Sequence, residues 1–135
     1  ECLIVIDFEG GRTALCDLSS RCAFPKPRFC AHGTKATYLQ YGMDPQEAAL
    51  MAGNIDAAHP DPAHGARLKG QGAEEDVPRV PGRWRLFYEN LADVLTQGAL
   101  PLVKLPEARR TIGILDAARR SAETGAHISV DFGPA

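Results

Sequence analysis

A chain of 135 residues, 44% hydrophobic and 24% charged, has the balance of one soluble globular domain able to bury roughly two-thirds of its unfolded surface. Its formal net charge of -2 comes from acidic and basic residues spread along the chain, which excludes the basic stripe that binding to a nucleic-acid backbone requires. No window approaches the roughly 20 apolar residues of a membrane span and Glu1 opens the chain without a leader pattern, so neither nucleic acid nor membrane is expected as a partner, and the expected compartment is the cytoplasm.

The first residues, "ECLIVIDF", read as a strand from the outset, so the chain is expected to be an excised piece that starts inside a sheet. Glu1 to Phe8 and Arg12 to Leu18 flank Glu9-Gly10-Gly11, and paired glycines accept the positive φ angles of a tight hairpin. Cys2, Ile4, Ile6 and Phe8 take one face of the first run and Leu3 and Val5 the other, so both faces are expected to be covered. After Pro25-Lys26-Pro27, Arg28 to His32 and Ala36 to Tyr41 form a second hairpin around Gly33-Thr34-Lys35. Gly42 to Gly82 reads as a long loop of the kind that carries function, with one short helical turn at Pro45 to Met51 behind Asp44 as N-cap.

Two helices follow. In "RWRLFYENLADVLTQG" the residues Trp84, Phe87, Tyr88, Leu91, Val94 and Leu95 recur at helical spacing, and Gly98 supplies the stop. In "LPEARRTIGILDAARRSAETG" Pro106 suits the first turn, Ala108, Ile112, Leu115, Ala118 and Ala122 make the apolar face, and Gly125 ends it. The last run, "AHISVDF", alternates Ile128, Val130 and Phe132 as a strand. Strands, long loop, helices and strand give the class α+β: an open, largely antiparallel sheet with helices on one face, in one domain over residues 1–135.

The candidate chemistry is sparse. Cys2, Cys16, Cys22 and Cys30 lack the C-x-x-C spacing of a zinc or redox motif and read as free, buried small hydrophobes in a reducing compartment. Gly70-Gln71-Gly72 opens like a dinucleotide fingerprint, but Ala73-Glu74-Glu75 follows and no strand is predicted before it. His59, Asp61 and His64 in "HPDPAH" read as a solvated loop rather than a metal site, because the prolines keep the segment extended. His32 and His127 fall on predicted strands as hydrogen-bonded structural histidines. Ser19, Ser20 and Ser121 have neither an adjacent base nor the glycines of a nucleophile elbow. Asp44, Gln46 and Glu47 follow a strand end, where polar side chains reach a substrate, although helix capping accounts for Asp44 equally well.

Taken together, "HGTKATYLQYGMDPQEAAL", "PGRWRLFYENLADVL" and "PEARRTIGILDAARRSAETGAHISV" resemble the C-terminal half of dehydrogenases of the glucose-fructose oxidoreductase, inositol dehydrogenase and rhizopine-catabolism (Gfo/Idh/MocA) family. The resemblance spans nearly the whole chain and points most closely to members acting on sugars or inositols. It implies a substrate-side and oligomerisation domain, with NAD or NADP bound by a Rossmann domain that this stretch does not contain. The family's Glu-Lys-Pro element is not matched, since Pro25-Lys26-Pro27 has Pro where Glu belongs, and Asp17 is followed four places on by Arg21 rather than His. Both elements are expected upstream of Glu1. Leu105 stands before Pro106-Glu107 where many relatives put Thr or Ser, so the start of that helix is expected to lack a side-chain cap.

On this reading the intact protein moves a hydride between a nicotinamide and a carbinol carbon of a sugar, inositol or related polyol, while the isolated chain is inactive. Tyr41, Asp44, Gln46, Arg83 and Trp84 are the candidate substrate contacts; no catalytic, cofactor-binding or metal residue is expected in this stretch. The implied partners are a small-molecule substrate and further copies of the chain, met through the open sheet face. A non-catalytic dimerisation module and a small-ligand sensor are the competing readings. The sequence does not choose between NAD and NADP.

Overall fold

The computed structural model describes residues 1–61 and 65–133. The class is α+β, with every strand pairing antiparallel. The strands form two sheets rather than one: β1 (Cys2–Phe8) with β2 (Arg12–Leu18), and β3 (Phe29–His32), β4 (Thr37–Gln40), β5 (Ala66–Lys69) and β6 (Glu74–Val77) in that order. Helices α1 (Pro45–Met51), α2 (Arg85–Gln97) and α3 (Leu105–Thr124) and a 3₁₀ turn at Ile55–Ala57 complete the described elements. The chain divides into two compact units, Glu1–Leu18 with Arg85–Ala135, and Ser19–Trp84.

In the first unit the β1–β2 hairpin turns on Gly10 and Gly11, whose φ angles of 83° and 75° are open to glycine and strained for other residues. Ile4 faces Cys16 and Ile6 faces Ala14 on one side, while Val5 faces Leu15 on the other, beside Leu3. Ile4, Ile6 and Ala14 are half-buried, whereas Leu3, Val5 and Leu15 are 64%, 51% and 67% exposed. The expected cover is thus missing from the second face, and the expected burial of the cysteines is not found: all four are exposed free thiols, Cys2 and Cys16 on a two-stranded ribbon with too little surface to bury them, Cys22 in an irregular segment and Cys30 on an edge strand.

Asn90, in the middle of α2, fixes the connection to α3, its amide donating to the Leu100 carbonyl at 3.0 Å and its oxygen accepting from the Leu102 N–H at 2.8 Å. As expected, no N-cap side chain makes the usual cap hydrogen bond at the start of α3, and Glu107 serves there instead. Lys104 is the N-cap residue, Leu105 is already helical, and the Glu107 carboxylate reaches back to accept from the Lys104 N–H at 3.0 Å. Gly125 ends the helix in the left-handed conformation with φ 66°. The covered stripe of α3 is Arg110, Gly113, Ile114, Ala117, Ala118 and Ser121; of the predicted face Ala118 is on it, while Ile112 and Leu115 are exposed.

The predicted strand over "AHISVDF" is not formed; residues 126–133 run irregularly. At Phe132 the apolar side chain serves a helix instead of a ladder. Phe132 lies so close over α3 that a Cβ on Gly113 would stand 2.6 Å from its ring, and Ser121 Oγ donates to the Ala126 carbonyl at 2.7 Å. His127 is consequently exposed, its Nε2 3.8 Å from Asp7 Oδ2, rather than held in a sheet.

In the second unit the β3–β4 hairpin closes through Gly33 N–H to the Ala36 carbonyl at 2.9 Å. The predicted long loop contains α1 as expected, but also a second hairpin, β5–β6, that adds to β4. "ARLK" and "EEDV" carry little intrinsic strand preference; cross-strand charge pairs Arg67 with Asp76 and Lys69 with Glu74, reinforced by an Arg67–Glu74 ion pair of 2.8 Å, replace it. Gly70 to Gly72 is the tip of this hairpin. A strand does precede it, contrary to expectation, and a strand follows it.

Candidate functional site

The second unit carries a knot of polar contacts where β4 leads into α1. Gly42 turns the chain with φ 78°, and Asp44, in extended backbone, caps α1 by accepting from the Gln46 N–H at 3.0 Å, with Pro45 in the first turn where its missing N–H costs nothing. Gln46 is 7% exposed, and its amide is fully used. Its Nε2 donates to both Asp44 carboxylate oxygens at 3.2 Å, and its Oε1 accepts from the backbone N–H of Trp84 at 3.0 Å. Gly82 fits against the same group so closely that a Cβ there would overlap Asp44 Oδ2 and Gln46 Nε2. The segment entering α2 is thus latched to the start of α1 by side-chain hydrogen bonds and steric fit.

Beside the latch opens a cleft of about 70 Å³ bounded by Asp44, Gln46, Pro60, Arg79 and Gly82. Pockets that enclose small organic ligands run to roughly 300–1,000 Å³, so this cleft alone holds a few waters and would serve a larger ligand as one wall. A second polar row leads to it from β4. Gln40 is assigned with its amide nitrogen donating to Tyr38 Oη at 2.7 Å and its oxygen accepting from Arg79 Nε and Nη2 at 3.3 Å each, since the opposite orientation would set its NH₂ against the guanidinium donors.

The five candidate residues fare differently. Asp44, Gln46 and Trp84 meet in the latch; Tyr41 is half-buried after β4, and Arg83 is exposed next to Trp84, which is itself 39% exposed. Tyr38, Gln40 and Arg79 were not signalled by the sequence, because Arg79 lies in an irregular segment and the row forms only when β4 is paired. His32 is exposed on β3, its Nε2 3.4 Å from Cys30 Sγ and its Nδ1 3.3 Å from Thr37 Oγ1. Among the described residues no three His, Cys, Asp or Glu side chains gather as a metal site; His59 is exposed, and His64 lies outside the described residues. The glycine-rich turns at Gly10-Gly11 and Gly70–Gly72 join strand to strand, so neither presents a helix N-terminus to a pyrophosphate. On α3 Arg119 is held charged, raised further above the usual range first by its hydrogen bond to Asp116 and then by that to Glu123.

Residues 1–131 match the model of the Gfo/Idh/MocA oxidoreductase family, C-terminal alpha/beta domain. The chain belongs to this family. It is 30% identical over 105 residues to scyllo-inositol 2-dehydrogenase (NADP(+)) IolW of Bacillus subtilis, a match covering 72% of the chain and 29% of that protein. It is 28% identical over 117 residues to the Escherichia coli oxidoreductase YhhX, covering 81% of the chain and 34% of the relative. Among solved structures, that of the putative oxidoreductase yvaA from Bacillus subtilis superposes with a TM-score of 0.83 at 26% identity, over 96% of this chain and 40% of that one. The Gfo/Idh/MocA C-terminal domain is thus the whole of the match, and the chain spans about a third of the length of these curated relatives. Among the described residues no helix is long and apolar enough to cross a membrane.

Proposed function

We propose that this chain is the substrate-side and oligomerisation domain of a cytoplasmic NAD(P)-dependent oxidoreductase acting on a sugar, inositol or related polyol. The observation that carries the reading is the latch: it fixes the backbone of Trp84, whose indole is partly exposed beside an exposed Arg83, two positions on from Gly82 in the wall of a cleft that is too small to enclose a polyol unaided. An indole face suits the C–H surface of a polyol, and a guanidinium supplies donors for its hydroxyls. Tyr41 joins them as a contact. Asp44 and Gln46 act by positioning, since their hydrogen-bonding groups are turned on each other and on the Trp84 backbone.

The similarity to an NADP(+)-dependent scyllo-inositol dehydrogenase supports the polyol class, and a cofactor domain elsewhere in the protein agrees with the small share of that relative which the chain matches. No step of hydride transfer is assigned to residues of this chain. The exposed Leu3, Val5 and Leu15 face of the first unit is the proposed meeting surface with a second copy. The test is to express the chain with its preceding coding sequence and assay NAD and NADP reduction on scyllo-inositol, myo-inositol and glucose. Reduction with at least one polyol, lost or weakened in KM by Trp84→Ala and Arg83→Ala, supports the reading. A protein without nicotinamide-dependent activity on any of them, or variants with unaltered KM, would overturn it.

A further inference from the structure

Away from the latch, the four-stranded sheet carries a second arrangement of reactive groups. Strand β3 is an edge strand of this sheet, and Cys30 and His32, two apart on it, share one face. Cys30 Sγ lies 3.4 Å from His32 Nε2, inside hydrogen-bond reach for sulfur, and His32 Nδ1 lies 3.3 Å from Thr37 Oγ1 on β4. With Nδ1–H donating to the Thr37 hydroxyl, Nε2 is the bare nitrogen and accepts the thiol proton. This is the relation of a nucleophile, its base and the group that orients the base.

The surroundings distinguish Cys30 from its counterparts. Among the described residues it is the one thiol set against an imidazole; the Cys22 thiol donates to the Phe24 carbonyl at 3.1 Å, and Cys2 and Cys16 sit in the β1–β2 ladder opposite Leu18 and Ile4. Leu39, opposite Cys30, pairs onward with Arg67, and Thr37, opposite His32, pairs onward with Lys69, so Arg67 and Lys69 share this sheet face with the carboxylates opposite them, Asp76 and Glu74, and leave it without net charge. All of Cys30, His32, Arg67 and Lys69 are exposed.

We propose that Cys30 is a thiol–disulfide exchange site, served by His32 as base and Thr37 as its orienter, and that it takes a small-molecule disulfide, for which oxidised glutathione is the probe. The Cys30 proton passes to His32 Nε2 as Sγ attacks one sulfur of the disulfide. The disulfide S–S bond breaks, a new S–S bond to Cys30 forms, and the departing thiolate takes the proton from the imidazolium. One thiol and one disulfide become one mixed disulfide and one thiol, with no net change in oxidation and no further reagent.

The experiment incubates the native chain with oxidised glutathione, quenches with acid and maps glutathionylated peptides over time by mass spectrometry. Cys30 is expected to react about tenfold faster than Cys2, Cys16 or Cys22, a modest share of what a positioned base supplies. His32→Gln, which keeps a hydrogen-bonding side chain but removes the base, is expected to erase that lead, and Thr37→Val to reduce it. The wild-type chain unfolded in urea supplies a control independent of any variant: its cysteines should react at similar rates. Equal rates at the cysteines of the native chain, or a Cys30 lead that survives His32→Gln or urea, would overturn the proposal.

Discussion

Gln46 Oε1 accepts a hydrogen bond from the backbone N–H of Trp84 at 3.0 Å, across 38 positions of sequence. Because Gln46 is buried and its amide also holds the Asp44 carboxylate, this contact ties the first turn of α1 to the approach to α2. Gln46→Leu keeps the volume, leaves the Trp84 N–H without its acceptor and reduces the Asp44 carboxylate to the backbone N–H of residue 46, a loss of about 1–3 kcal/mol. Trp84 is the chain's single tryptophan, so the melt can be followed by its own fluorescence. The variant should melt earlier, with Trp84 emission altered before the transition. Emission and melting point both matching wild type would remove the latch from the account.

Gly82 and Gly113 make a matched pair. A methyl at Gly82 meets Asp44 Oδ2 and Gln46 Nε2, polar atoms held by the latch, so Gly82→Ala should cost about 1–3 kcal/mol, as overpacking of fixed groups does. A methyl at Gly113 meets the edge of the Phe132 ring, the far end of a side chain in an irregular segment, while α3 gains about 1 kcal/mol of helix propensity. Chemical denaturation should therefore place Gly113→Ala near wild type and Gly82→Ala well below it; the reverse order would show the Gly82 approach to be loose.

Much of the fold is legible in the sequence, for local reasons. Gly10-Gly11 specifies a hairpin with no other information, Asp44-Pro45 announces the start of α1, and Gly98 and Gly125, both at positive φ, mark where the two long helices stop. The β5–β6 hairpin was not legible because its strands owe their pairing to charges across the ladder, visible only once Arg67 is set opposite Asp76. The Ile128, Val130 and Phe132 alternation misled because period two records which side chains point one way, not what lies on that side; for Phe132 it is Gly113 of a helix. At the site, Asp44 carried a capping signal. Nothing local tells a glutamine at the second helical position that its partner is a backbone N–H 38 residues on, nor Gln40 that Arg79 will face it.

The α3 cap offers a local test. Glu107→Ala removes the acceptor of the Lys104 N–H and the acidic charge in the first turn, for about 0.5–1 kcal/mol. Hydrogen exchange should quicken at the first turn of α3 and remain unchanged near Gly125. Uniform quickening along the helix would mean that the start of α3 is held by something other than Glu107.

The open face of β1–β2 bears on assembly. Val5 and Leu15 are direct cross-strand partners and Leu3 lies on the same face, all of them more than half exposed. Removing a side chain of this size from water is worth roughly 1.5–3 kcal/mol, and three neighbouring ones make a patch that soluble monomers seldom leave open. The opposite face, with Ile4, Ile6 and Ala14, is the half-buried one. A Val5→Lys and Leu15→Lys double variant therefore introduces charge where no core exists, and the chain should stay folded. Light scattering should then report a dimer or larger species for the wild-type chain at high micromolar concentration and a monomer for the variant, with matching far-ultraviolet circular dichroism. If the variant unfolds, this face is core and not contact surface; if the wild-type chain is already a stable monomer, the copies do not meet here.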